Sequence, residues 1–237
     1  LPMLAGSLLQ QCYNIADTLI VGQCIGANAL AAVGSAYTLM VFLISILLGL
    51  SMGSGTVFSL QYGAGDLSAL RRSIYVSLLL IGTVTILLNV AVFLWLDPIL
   101  RWLQVPYDIY SLMRNYLWII FWGIVFTFLY NFYAALLRAV GDSVTPLWFL
   151  AVSVVLNIGL DLFLILVLDQ GIEGAAVATV IAQGTAASGI LLYTYKTRPE
   201  LRLHREDMCF DRSSLREITS FSTLTCVQQS VMNFGIL

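Results

Sequence analysis

Apolar runs of bilayer length alternate with short polar breaks along this chain, and the spacing of polar positions within them follows a helical period. About 20 apolar residues suffice to cross a bilayer as a helix. On that measure a first span ends near Val21, a second covers Leu30 to Gly63, and a third Ser73 to Leu96. A fourth runs from Tyr110 to Ala139, a fifth from Trp148 to Leu168, and a sixth from Gly174 to Tyr195. The segment Lys196 to Arg216 is too charged to enter a membrane, and a seventh span begins after it.

The breaks carry their own signals. Gly22 to Gly34 reads as a short uncharged connection, and Gly49, Gly53 and Gly55 permit either a bend or a close helix approach inside the second span. Asp97-Pro98 opens a connection with room for a short interfacial helix, anchored by Trp102 and Tyr107. Gly141 stops the fourth span; Asp142, Ser143 and Thr145 cap the next, with Pro146 in its first turn. Pro2 is expected to kink the first helix in its inner half. The small residues Gly174, Ala175, Ala178, Ala182 and Ala186 predict close packing of the sixth span.

Composition strengthens this picture. Of 237 residues, 59% are hydrophobic and 10% charged, against about 25% charged in soluble domains; the mean hydropathy is +0.91. The fold class is therefore an all-α, polytopic membrane protein. No basic patch suggests nucleic acid. Cys12, Cys24, Cys209 and Cys226 form no disulfide framework or metal spacing, and His204 reads as a solvated surface residue. Leu1-Pro2-Met3 resembles the interior of a helix and Val227 to Leu237 stops without a polar tail, so the chain is expected to be a fragment.

Charge sets the orientation. The loops after the first, third and fifth spans hold only Arg101 and Arg114; those after the second, fourth and sixth hold Arg71, Arg72, Arg138, Lys196, Arg198, Arg202, Arg205, Arg212 and Arg216. Basic loops stay on the cytoplasmic side, which makes the N-terminal end cytoplasmic.

Candidate chemistry lies inside the spans. A carboxylate in hydrocarbon costs on the order of 3 kcal/mol or more unless it finds a partner or water. In the fifth span Asp161 and Asn157 are four residues apart, on one helical face. In the first, Ser7, Gln10, Asn14 and Asp17 form one polar stripe with Tyr13 beside it, and such a stripe must face protein or water. At about 1.5 Å per residue, Asp17, Asp161 and Thr179 of the sixth span all sit about 8 to 10 Å below the outer surface, with Asn157 one turn deeper. Two carboxylates, an amide and a hydroxyl at one depth suit a hard cation such as Na⁺. Neighbouring carboxylates in a low dielectric also repel, which favours a proton on one of them. The alternative is that each aspartate makes a structural hydrogen bond. Gln10-Gln11 and Gln228-Gln229, each in an apolar helix, hint at a repeat after six spans, as in parallel-repeat transporters.

Several motifs, in order, resemble the multidrug and toxic compound extrusion (MATE) transporters of the bacterial, DNA-damage-inducible-like branch. They are Leu9-Gln-Gln-Cys-Tyr-Asn-Ile-Ala-Asp17-Thr-Leu-Ile-Val-Gly22, Gln61-Tyr-Gly-Ala-Gly-Asp66, Leu137-Arg-Ala-Val-Gly-Asp-Ser-Val-Thr-Pro146, Leu156-Asn-Ile-Gly-Leu-Asp161 and Gly174-Ala-Ala-Val-Ala-Thr179. The resemblance implies half of a twelve-helix, two-lobe transporter: a six-helix N-terminal lobe (1–195), a cytoplasmic inter-lobe loop (196–216) and a truncated helix seven (217–237) of a missing C-terminal lobe. It implies a secondary active antiporter rather than an enzyme, with no cofactor beyond Na⁺ or H⁺ as coupling ion, exporting drug-like, amphipathic and often cationic small molecules across the lipid bilayer. It places a cation or proton site on Asp17, Asn157, Asp161 and Thr179, a substrate cavity on Gln10, Tyr13, Asn14 and Asn131, and a helix-one hinge at Pro2. A lipid-linked precursor flippase of the same superfamily tends to carry Arg or Lys in its cavity, and no span interior here does. An inactive structural fragment is the third reading. An intramembrane aspartyl protease would need Tyr-Asp and Gly-x-Gly-Asp, and Ala16-Asp17 and Gly159-Leu160-Asp161 both miss.

Overall fold

The computed structural model describes residues 2–204, 207 and 212–234. Among them the chain forms α1 (Pro2–Cys24), α2 (Ala27–Gly63), α3 (Leu67–Trp102), α4 (Tyr107–Trp122), α5 (Ile124–Ala139), α6 (Thr145–Leu162), α7 (Gly171–Thr197) and α8 (Arg212–Phe234). A π-helical turn, Phe163–Val167, extends α6, and a 3₁₀ turn, Pro199–Leu201, follows α7. The described residues contain no strand, as backbone groups in hydrocarbon require when no barrel closes. By length and apolarity alone α2, α3, α6 with its π turn, and α7 each suffice to cross a bilayer, and the bent pair α4–α5 makes a fifth. α1, diluted by Gln10, Gln11, Asn14 and Asp17, falls short of that mark.

Three boundaries differ from expectation. α1 and α2 each run further, leaving a two-residue connection in which Gly26 takes φ 115°, so Gly22 to Gly34 is not a loop. α3 continues through Pro98 to Trp102, so no separate interfacial helix forms there. Asp97 ties α3 to the next helix instead: its carboxylate accepts from Tyr110 Oη at 2.9 Å and Arg114 Nε at 2.8 Å. The fourth span is two helices, bent by 46° at Gly123. The start of α6 keeps the predicted stop at Gly141 and the first-turn Pro146, but Val144 takes the cap position and, of the three expected caps, Asp142 alone accepts from the first turn. Gly141 turns at φ 90°, and Asp142 accepts from the Thr145 N–H at 3.0 Å and its hydroxyl at 2.8 Å.

The glycines of α2 serve close approach, not a bend, since the helix is continuous. A Cβ on Gly49 would lie 2.5 Å from the Cys226 Cα, and one on Gly53 would run into the Ser222 Cα. α2 and α8 therefore touch backbone to backbone. Ser222 Oγ donates to the Leu50 carbonyl at 3.2 Å, and Cys226 Sγ to that of Ile46 at 3.4 Å. Before α8, the polar segment is tied to α3: Arg71 Nε meets Asp207 Oδ2 at 2.9 Å, and Leu201 is buried.

This seam makes a prediction. Gly53→Leu drives a side chain into the α8 backbone and is expected to cost about 1–3 kcal/mol, read as a lower thermal midpoint in detergent. Gly34→Leu, where nothing lies within 4 Å, leaves the midpoint unchanged.

Candidate cation site

Three helices bring the intramembrane polar groups together. α1 presents Tyr13 and Asp17 one turn apart, α6 presents Asn157 and Asp161 one turn apart, and α7 supplies Thr179 between them. α6 packs along both α1 and α7. Gly174 at the start of α7 lies against Leu164 of the π turn, where an added Cβ would come within 3.1 Å. The π turn starts two residues beyond Asp161; such widened turns recur at functional sites.

All four predicted site residues are buried: Asn157 and Asp161 at 0% exposure, Thr179 at 6% and Asp17 at 8%. Thr179 Oγ1 is the junction. It accepts from Tyr13 Oη at 3.2 Å and from Asn157 Nδ2 at 3.4 Å. Other buried membrane threonines, Thr85 and Thr194, give their hydroxyls to the carbonyl one turn back. The two carboxylates lie within electrostatic reach of each other. Asp17 Oδ1, Asn157 Oδ1 and both oxygens of Asp161 are buried with no hydrogen-bond partner.

Buried oxygens without donors are costly. A set of carboxylate, amide and hydroxyl oxygens suits a hard cation, and a carboxylate in low dielectric equally takes a proton. Among the described residues no three His, Cys, Asp or Glu side chains converge, so the donors here are oxygens from three kinds of side chain.

The expected cavity residues divide. Tyr13 joins the aspartate cluster through Thr179. Gln10 is exposed on α1, and Asn14 Nδ2 reaches Tyr37 Oη of α2 at 3.4 Å. Asn131 turns back to its own helix, donating to the Thr127 carbonyl at 2.8 Å. Thr127 in turn gives its hydroxyl to Gln183 Oε1 of α7. Beside them a small, partly open cleft is lined by Met40, Ile44, Ile120, Phe121, Ile124, Thr127 and Gln183. Pro2 is the first described residue of α1.

Sequence reasoning missed Tyr116. This buried tyrosine of α4 lies within electrostatic reach of Asp17, Tyr13 and Asp161. Depth was the available signal. Tyr116 is nine residues into α4, about 13 Å along the helix from its start.

The MatE family profile matches residues 2–163. The chain belongs to the MatE family. It is a family of membrane transporters, not enzymes. The chain is 37% identical over 196 residues to a probable multidrug resistance protein of Bacillus subtilis, YpnP, an alignment covering 83% of this chain and 44% of that protein. It is 29% identical to the multidrug export protein MepA of Staphylococcus aureus, covering 99% of this chain and 52% of MepA. A solved structure of a multidrug resistance MATE transporter in an outward-facing conformation superposes with a TM-score of 0.91 at 24% identity, covering 99% of this chain and 52% of that one. The chain thus spans about half the length of the relatives it matches.

The geometry makes Thr179 decisive for local stability. Thr179→Val strands Tyr13 and Asn157 and is expected to cost about 1–3 kcal/mol in a thermal melt. Thr179→Ser keeps the acceptor and stays near wild type.

Proposed function

We propose that this chain forms the six-helix N-terminal lobe (1–195), the cytoplasmic inter-lobe loop (196–216) and the start of helix seven (217–237) of a Na⁺- or H⁺-coupled multidrug antiporter. Its place is the inner membrane, with the N-terminal end cytoplasmic; the distribution of Lys and Arg supports that orientation. Its partners are a second lobe, the lipid bilayer and amphipathic, often cationic, drug-like compounds. The names of the curated relatives support the substrate class. The observation that carries the reading is the set of four buried, unpartnered oxygens on Asp17, Asn157 and Asp161 beside Thr179.

In this reading an inward-moving ion binds Asp17 and Asp161 and changes the charge of the site. A ligand shifts a conformational equilibrium only through different affinity for the two states. Tyr13 and Asn157 both hold Thr179, so a change of charge at the aspartates alters how α1 seats against α6 and α7. α1 also carries Gln10 and Asn14, so its movement reshapes the cavity wall and releases the compound outward.

The test is ion binding to the purified chain in nanodiscs, by ²²Na⁺ retention and by proton uptake after a pH jump. One of the two is expected to saturate, and Asp161→Asn to weaken it by about tenfold or more, the equivalent of about 1.4 kcal/mol. Undiminished binding by Asp161→Asn and Asp17→Asn would reject the assigned site.

A further inference from the structure

The bend at Gly123 straddles the part of α7 that carries Thr179. On one side α4 brings Tyr116 toward the aspartates; on the other, α5 brings Thr127 to Gln183, one turn beyond Thr179. At the bend the backbone sits on Val180, the neighbour of Thr179. A Cβ on Gly123 would lie 2.8 Å from Val180 Cγ2 and 3.1 Å from the Ile120 carbonyl. Where this elbow sits therefore bears on two groups at the cation site, Tyr116 and Thr179.

An elbow in a membrane helix needs its freed backbone groups satisfied. Gly123 N–H reaches the Ile120 carbonyl at 2.8 Å, and the next bonds run from Phe126 and Thr127 N–H to the Gly123 carbonyl at 3.0 and 3.1 Å. The Phe121 carbonyl, at the end of α4, accepts from Asn89 Nδ2 of α3 at 2.7 Å. One turn along α3, Phe93 packs on Trp118 and Trp122, ring centroids 4.6 and 5.3 Å away. The neighbouring helix thus grips the end of α4 by one amide and one ring.

We propose that Asn89 is a positioning residue for the cation site: by capping the Phe121 carbonyl it fixes the Gly123 elbow, which sets where Tyr116 and Thr179 stand relative to Asp17 and Asp161. This rests on the ion-site reading above. Asn89 touches none of the site's groups, so its effect is transmitted through backbone.

The experiment measures ion affinity and thermal midpoint together, on the purified chain in nanodiscs, using Na⁺ or a pH jump as the probe. Asn89→Leu keeps the volume and removes the donor; it is expected to weaken binding about five- to tenfold, the worth of one net hydrogen bond. Asn89→Gln keeps a donor and is expected to recover most of the affinity. Gly123→Ala presses Val180 from the other side of the elbow and is expected to weaken binding without touching Asn89. A merely structural asparagine would lower the midpoint and leave affinity alone, so a folded Asn89→Leu with wild-type affinity overturns the proposal. Should Asn89→Leu fail to fold, Gly123→Ala decides: weakened binding supports the elbow's role and unchanged binding overturns it. Absence of saturable binding in the wild type would instead bring down the ion-site reading, and this inference with it.

Discussion

Two carboxylates in hydrocarbon are the dominant constraint on this chain. Each would cost several kcal/mol if left bare among lipid tails, and the lobe avoids that by folding three helices around them. Asp17 of α1 and Asp161 of α6 face inward, and Thr179 of α7 gathers Tyr13 and Asn157 beside them. These contacts do not neutralise the aspartates: among the described residues no arginine or lysine pairs with either, and four oxygens in the cluster have no donor. A structural pair of aspartates would be capped by such donors. A group left short of partners is one that a cation or proton can complete.

The surrounding helices hold this arrangement without an aqueous hydrophobic driving force, since lipid is as apolar as leucine. Close backbone approach replaces it. α7 offers a run of buried alanines, Ala175 to Ala187. α2 meets α8 through Gly49 and Gly53, and the α4–α5 elbow meets α7 through Gly123. Side chains then bond backbone carbonyls across the helix seams: Asn89 at Phe121, Ser222 at Leu50 and Cys226 at Ile46. The same close approach that packs the lobe leaves Val180 and Thr179 little freedom to move independently of the elbow.

Most of the architecture was legible because membrane spans announce themselves by length and apolarity, and intramembrane charges by their rarity. Asp17 and Asp161 stood out for that reason, and equal depth joined them to Thr179. What sequence lacked was rotation about each helix axis. It left Tyr13 assigned to the cavity, whereas its hydroxyl points at Thr179. Tyr116 was hidden among a run of aromatics whose lipid-facing members read the same in sequence. The Gly123 break was invisible because a single glycine is tolerated in membrane helices, and only its contact with Val180 gives it meaning. Pro98 misled in the opposite sense: α3 runs through it and ends at Trp102, with Asp97 gripped by Tyr110 and Arg114.

The central claim concerns the charge state of two buried carboxyl groups, and infrared difference spectroscopy on chain labelled with ¹³C-aspartate reads it directly. Spectra with and without Na⁺, and across a pH titration, are predicted to show carboxyl bands that shift with the ion and vanish from the difference in Asp17→Asn and Asp161→Asn. Bands that respond to neither ion nor pH, or that persist unchanged in both variants, would contradict the account.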